Sequence, residues 1–148
     1  MFRQILSTAV GLMILTGIVA CAPQAPEHPL VTAVDGEVRI PVAQVNDGDA
    51  HFFTYKQGDR NINFFARTDG SGKILTHFDA CYSCYKYKKG YVQEDREVVC
   101  IACRIGYDLD QEIWDWVGPC VPVTLKSEIV GGILVVTEKK LKKGAKLF

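Results

Sequence analysis

The stretch from Cys81 to Cys103 constrains this chain more than any other. It reads Cys81-Tyr-Ser-Cys84, then residues 85–99, then Cys100-Ile-Ala-Cys103. Each Cys-x-x-Cys pair closes a tight turn that aims two sulfurs inward, and the linker is long enough for a hairpin that brings the turns together. Four thiolates gathered this way surround one ion tetrahedrally. The ligands must lose their protons to bind, so assembly of the site is coupled to folding and to pH. Lys86, Lys88, Lys89, Arg96 and Arg104 lie on the linker and its edges, where their charges are expected to offset the excess negative charge of four thiolates on a divalent ion. The competing expectations are disulfides or isolated thiols.

The N-terminus bears on that choice. Met1-Phe-Arg3 carries a positive charge, and residues 5–20 are an uncharged apolar run. The run is shorter than the ~20 residues a membrane span needs, and it reads as an export signal. It closes on Ile18-Val19-Ala20-Cys21, which resembles the bacterial lipoprotein box, in which the cysteine is lipidated after cleavage. The expectation is therefore a signal peptide over 1–20, a lipidated Cys21 with a Pro-rich tether over 21–33, and a folded domain over 34–148. Cys21 is then an anchor and takes no part in metal chemistry. The expected location is the cell envelope, on a bacterial membrane and facing the periplasm or exterior, where disulfides persist. No Arg-Arg pair precedes the apolar run, so the chain is expected to cross unfolded and to acquire its metal outside.

The 148 residues suit one domain, and a formal charge of +0, without a basic patch interleaved with aromatics, gives no reason to expect nucleic acid as a partner. After Leu30 the texture is β. Val38–Val42 alternates like a half-buried strand, Ala50–Tyr55 and Asn61–Arg67 flank a Gln57-Gly58-Asp59 turn, and Lys73–Phe78 forms a third strand that delivers Cys81. Gly90–Gln93 and Glu97–Val99 read as a short hairpin between the cysteine pairs. Residues 107–117 allow a helical turn near Asp110 or a strand that puts Trp114 and Trp116 on one face. Val123–Val130 and Ile133–Thr137 flank a Gly131-Gly132 turn. The basic tail from Lys139 to Lys146 reads as a solvated face, or as a surface attracted to anionic lipid. The fold class expected is mainly β: a small single-domain antiparallel sheet with a double Cys-x-x-Cys knuckle and a zinc-ribbon-like hairpin.

Asp79-Ala80-Cys81-x-x-Cys84, Lys89-Gly90-Tyr91-x-Gln93, Val98-Val99-Cys100-x-x-Cys103 and Gly118-x-Cys120-x-Pro122 occur in an order that resembles the FtrD-like family, described as membrane iron–sulfur-containing proteins. The resemblance runs from about Val38 to the end of the chain. It implies membrane proteins or lipoproteins, some associated with iron uptake, with Cys81, Cys84, Cys100, Cys103 and Cys120 as the functional residues. Pro119 and Val121 stand where the family has Gly and Asn beside the fifth cysteine. Tyr85 and Arg104 stand where many zinc-ribbon knuckles have Gly.

Four thiolates saturate a structural zinc site, so Cys120 is surplus. It either replaces a ligand, bridges to a second metal, receives metal from a donor, or is a buried thiol of no function. His77 lies near Cys81 and, with Asp79, is a candidate to orient the ligands; Asp79 is also placed to fix the turn by accepting backbone N–H bonds. His28 is expected to be solvated in the tether and His51 to be a core or edge residue. Tyr82, Tyr85, Tyr87, Tyr91 and Tyr107 are candidates to shield the site or simply to pack. The residues after the pairs are Tyr85 and Arg104 rather than His, which argues against haem attachment, and no βαβ pattern supports a thioredoxin-like reading. No paired carboxylates, nucleophile–base arrangement or phosphate loop is present, and an enzyme is not the favoured expectation. The expected function is metal binding, in iron or other transition-metal handling or associated electron transfer, beside a metal-uptake permease or a redox partner. The expected cofactor is an iron–sulfur cluster or a single iron, zinc or copper ion, since ligand type alone does not choose among them. A thiol–disulfide oxidoreductase and a structural adaptor held by metal or disulfides are the alternatives.

Overall fold

The computed structural model describes residues 28–148, and its organising strand is β4, Arg60–Thr68. Side chains alternate across a strand, yet both faces of β4 are buried. Ile62, Phe64 and Ala66 point into one apolar cluster, and Phe65 points into another. Burying a side chain of this size stabilises by about 1.5–3 kcal/mol, so each face of β4 anchors its own core.

Strand β4 sits inside a four-stranded sheet with β1 (Leu30–Val31), β3 (His51–Gln57) and β5 (Ile74–Phe78), in the order β1-β3-β4-β5. β3 and β4 pair antiparallel from His51 opposite Ala66 to Gln57 opposite Arg60, about a tight turn with Gly58 at φ +58°. β5 continues the antiparallel order, with Phe64 opposite Phe78. β1 runs parallel to β3, so the sheet is not wholly antiparallel. The segment expected as tether therefore contributes Leu30 and Val31 to the sheet. The proposed signal peptide and Cys21 lie outside the described residues.

A second sheet, in the order β2-β10-β9, joins β2 (Glu37–Pro41), β9 (Glu128–Val130) and β10 (Ile133–Thr137). Gly131 and Gly132 form the β9–β10 turn at φ +56° and +78°. Positive φ at both central residues is what a two-residue hairpin turn needs to match strand twist. Val38, Ile40, Leu134 and Val136 pack from this sheet into the first core with Ile62 and Phe64. Residues 123–127, expected as strand, run alongside β5, where Leu125 N–H donates to the Thr76 carbonyl at 2.9 Å. The basic tail folds as helix α1 (Glu138–Lys143), with Leu141 buried in the first core and Lys142 paired with Glu138 at 3.0 Å. It is thus amphipathic rather than wholly solvated.

The third sheet, β6-β7-β8, comprises β6 (Tyr91–Glu94), β7 (Glu97–Cys100) and β8 (Gly106–Asp108). It closes over the other face of β4 and makes the second core from Phe65, Val98, Tyr107, Leu109, Trp116 and three of the cysteines. A short 3₁₀ turn over Ile113–Asp115 follows. It puts Trp116 inside and leaves Trp114 65% exposed, so the two indoles do not share a strand face. Mainly β architecture in one small domain, with antiparallel pairing dominant, is the result.

Candidate metal centre

Each knuckle starts where a strand stops. β5 ends at Phe78, and Asp79 N–H donates to the Asn63 carbonyl at 2.9 Å while Ala80 accepts from Val123 N–H at 2.9 Å. Cys81 is therefore held between two neighbouring segments. The chain then turns sharply: Tyr85 N–H donates to the Cys81 carbonyl at 3.0 Å, and Cys84 N–H donates to the Cys81 sulfur at 3.2 Å. The second knuckle repeats this at the end of β7, where Arg104 N–H donates to the Cys100 carbonyl at 2.8 Å. Arg104 stands at φ +64° there. The β6–β7 hairpin joins the knuckles and sets Tyr91 opposite Cys100.

Asp79 and Gly90 lock the first knuckle to that hairpin. Tyr91 N–H donates to Asp79 Oδ1 at 2.6 Å. A side chain at Gly90 would meet the Asp79 carboxylate at 2.4 Å, and φ is +66°. Close approach and positive φ together require glycine. Asp79 Oδ2 also lies 3.5 Å from Nε2 of His28, which packs its ring at 5.1 Å from Phe52. His28 is thus tucked against the sheet, contrary to the expectation of a solvated tether residue. His51 lies elsewhere, 2.6 Å from Asp47.

Cys120 reaches the site from a third loop. The Tyr91 hydroxyl donates to its carbonyl at 2.6 Å and sits 3.7 Å from its sulfur. The Ser83 hydroxyl donates to the Pro119 carbonyl, which ties the loop to the first knuckle. The sulfurs of Cys81, Cys84, Cys100 and Cys120 consequently all lie within 4.8 Å of one another. Cys103 falls outside this group and is exposed, in the tight turn that Arg104 N–H closes on the Cys100 carbonyl. Of the five cysteines singled out in the sequence, Cys81, Cys84, Cys100 and Cys120 form this group, and Cys103 is not in it.

The thiols are crowded. Burial would raise Cys81, but hydrogen bonds from the Cys120 thiol, the Cys84 N–H and the Tyr91 hydroxyl outweigh it and hold it below the ordinary range. Burial pushes Cys84 up to about 11, with Cys103, Cys100 and Cys81 adding to the rise. Burial and the surrounding sulfurs push Cys120 and, through Cys81, Tyr91 far up. Like charges packed this closely cannot all form unaided, whereas a cation among them reverses the balance. The donor set and spacing therefore suit a metal: at a zinc–sulfur distance of ~2.3 Å, tetrahedral geometry places sulfurs about 3.8 Å apart.

The cations expected to serve the thiolates do not all do so. Arg96 pairs with Asp110 at 2.6 Å and Asp49 at 3.3 Å, and Arg104 pairs with Glu94 at 2.7 Å. Lys86 and Lys88 lie over the rings of Tyr87 and Tyr85. Tyr91 and Tyr107 are buried beside the sulfurs, while Tyr82, Tyr85 and Tyr87 are exposed. A cleft of about 550 Å³ opens onto Cys81, Cys84 and Cys100, with Tyr85, Tyr91 and Phe148 among its walls.

His77 lies under the centre rather than in it. Its ring stacks between Phe65 and Trp116, at 5.1 and 5.2 Å. Burial, then the Arg67 charge, push its pKa down to about 3, so it is neutral. Arg67 was not singled out from the sequence. It is fully buried, donates to the carbonyls of Leu109 and Gln111 at 2.7 and 2.9 Å, and lays its guanidinium 4.0 Å from the Trp116 ring. An arginine in an alternating strand carries no local signal of such burial.

The fold and site define a class of mainly β protein with four cysteine sulfurs gathered within 4.8 Å of one another, the spacing a metal site needs. Within that class, the family model for "Membrane iron-sulfur containing protein FtrD-like" matches residues 45–148. The chain belongs to the FtrD-like family. No curated protein matches it. Among solved structures, the quaternary ammonium Rieske monooxygenase CntA, in complex with an inhibitor, is similar at 12% identity and a TM-score of 0.47. That match covers 68% of this chain and 30% of the other, a likeness too slight to speak for chemistry. The family is described as membrane proteins; among the described residues no helix is long and apolar enough to cross a membrane.

Proposed function

We propose that this protein is an extracytoplasmic, lipid-anchored metal-binding protein in which Cys81, Cys84, Cys100 and Cys120 hold one transition metal ion. The observation that carries the reading is the mutual approach of those four sulfurs to within 4.8 Å. That spacing favours one ion, because a polynuclear cluster puts its own sulfides between the thiolates and spreads them. The family description favours iron. When bound, such an ion supplies either a one-electron couple or a transferable cargo. The chain's own part is to gather four soft donors on strand ends, to exclude water with Tyr91 and Tyr107, and to fix the Cys120 loop through the Tyr91 hydroxyl. The role is iron or other transition-metal handling, with electron transfer as a mode, beside a metal-uptake permease or a redox partner in the envelope.

The anchor is supported by the sequence motif ending at Cys21. Two acyl chains at that residue would make the attachment durable. Replacing Cys21→Ser should abolish incorporation of labelled palmitate and release the protein from membranes; retained membrane attachment would remove the lipid anchor from the account.

Anaerobic purification followed by elemental analysis and a visible spectrum tests the metal reading. About one equivalent of iron with thiolate-to-metal absorption supports it. Inorganic sulfide in amounts matching the iron would replace the single ion by a cluster. A metal-free protein that turns over a disulfide substrate would replace the centre by a dithiol oxidoreductase.

A further inference from the structure

We infer that Cys103 is the exchange ligand of the centre, the exposed thiol through which a metal ion enters and leaves the four-sulfur set by trading places with Cys84. This rests on the reading of those four sulfurs as a metal centre.

The fold supplies five soft donors where a four-coordinate ion needs four. The two knuckles are built alike, yet they contribute unequally. The first places both its sulfurs in the group, whereas the second places only Cys100 there. The remaining position is filled from another loop by Cys120, buried and fixed through Tyr91. A centre that served only to hold the fold would be complete at that point. Cys103 nonetheless stays at the rim, held by the same tight turn as the ligand Cys100 while its side chain faces solvent.

Cys84 is the partner in the exchange because it is the least enclosed of the four. Cys81, Cys100 and Cys120 are buried, and Cys84 is only partly so. In the step, a sulfur–metal bond forms at Cys103 as the sulfur–metal bond at Cys84 breaks. The proton lost by the Cys103 thiol is taken up by the Cys84 thiolate. The number of thiolates, the net charge and the oxidation state of the ion are unchanged, so no oxidant or reductant is required. The ion then has one ligand on the surface, where a thiolate or a nitrogen chelator in solution can reach it.

Cobalt(II) is a suitable probe, because four thiolates around it give a characteristic visible absorption. The full-length chain in detergent, held anaerobic, is loaded with one equivalent and mixed with the chromophoric chelator 4-(2-pyridylazo)resorcinol. The Cys103→Ser chain is expected to keep the four-thiolate absorption and the stoichiometry, and to release cobalt at least about tenfold more slowly. Cys103→Ala should behave the same way. On the loaded wild-type chain, iodoacetamide should label Cys103 ahead of the other described cysteines, as read by peptide mass mapping. An unchanged release rate in both variants would overturn the inference. So would loss of the four-thiolate absorption in Cys103→Ser, which would make Cys103 a resident ligand. Failure of the wild-type chain to take up cobalt would overturn the metal-centre reading itself, and the exchange role with it.

Discussion

The hydroxyl of Tyr91 and the backbone of Cys120 make the contact that converts a two-knuckle motif into a three-segment site. The hydroxyl donates to the Cys120 carbonyl at 2.6 Å, and both residues are buried. Tyr91 stands opposite Cys100 in the hairpin, so one side chain registers the second knuckle against the third loop. Removing that hydroxyl leaves a buried carbonyl without its donor, which costs about 1–3 kcal/mol. Tyr91→Phe should therefore lower the thermal midpoint and weaken metal binding by about tenfold or more, measured by competition with a chelator. Unchanged affinity would show that Cys120 is positioned without Tyr91.

Cys120→Ser should be far more damaging to metal binding than any change at the rim. It removes a buried sulfur from the group of four. The expected result is loss of the four-thiolate absorption of the cobalt-loaded chain, with far-ultraviolet circular dichroism retained. A chain that kept that absorption would return the fourth ligand to Cys103, as the sequence spacing alone suggests.

Gly90 tests the lock between the first knuckle and the hairpin. An alanine there would place its methyl group 2.4 Å from the Asp79 carboxylate at φ +66°. Strain of this kind costs on the order of 1–3 kcal/mol. Gly90→Ala should lower the unfolding free energy by that amount, read as a lower denaturant midpoint at unchanged m, and metal loading should recover part of the loss. A neutral outcome would mean that Asp79 does not clamp Tyr91 N–H in solution.

His77 predicts a pH dependence. Its folded pKa is pushed down to about 3 by burial and by Arg67, against an ordinary value of 6.5. Between those values the unfolded chain binds the proton that the folded chain refuses, so stability falls as pH drops from 6.5 toward 3. The slope from one such group approaches about 1.4 kcal/mol per pH unit. The metal-free protein is the one to measure, since the thiolates add their own pH dependence when metal is bound. His77→Phe should flatten this part of the stability profile. An identical slope in wild type and variant would place the ring in solvent contact.

What could be read from the sequence was what local pattern determines. The β3–β4 and β9–β10 hairpins announce themselves through alternation and glycine turns, and the hairpin between the cysteine pairs through polar residues at its tip. The helix α1 was missed because its apolar stripe within a lysine-rich segment is one residue, Leu141, and its place in the core is decided by a distant sheet. The parallel pairing of β1 and the packing of half-buried His28 depend on contacts more than 20 positions away, such as Leu30 opposite Thr54. The same limit applies at the site. Spacing says that Cys81 and Cys84, and Cys100 and Cys103, form turns, but not which sulfurs face each other. The path of the chain after Trp116 decides that, by bringing Cys120 in beneath Tyr91.

The most direct test of the central claim is X-ray absorption at the edge of whatever metal the anaerobically purified native protein carries. The account predicts one ion per chain, a first shell of four sulfurs at about 2.3 Å, and no second metal nearby. A metal–metal shell, or a metal-free protein whose cysteines are joined in disulfides, would contradict it.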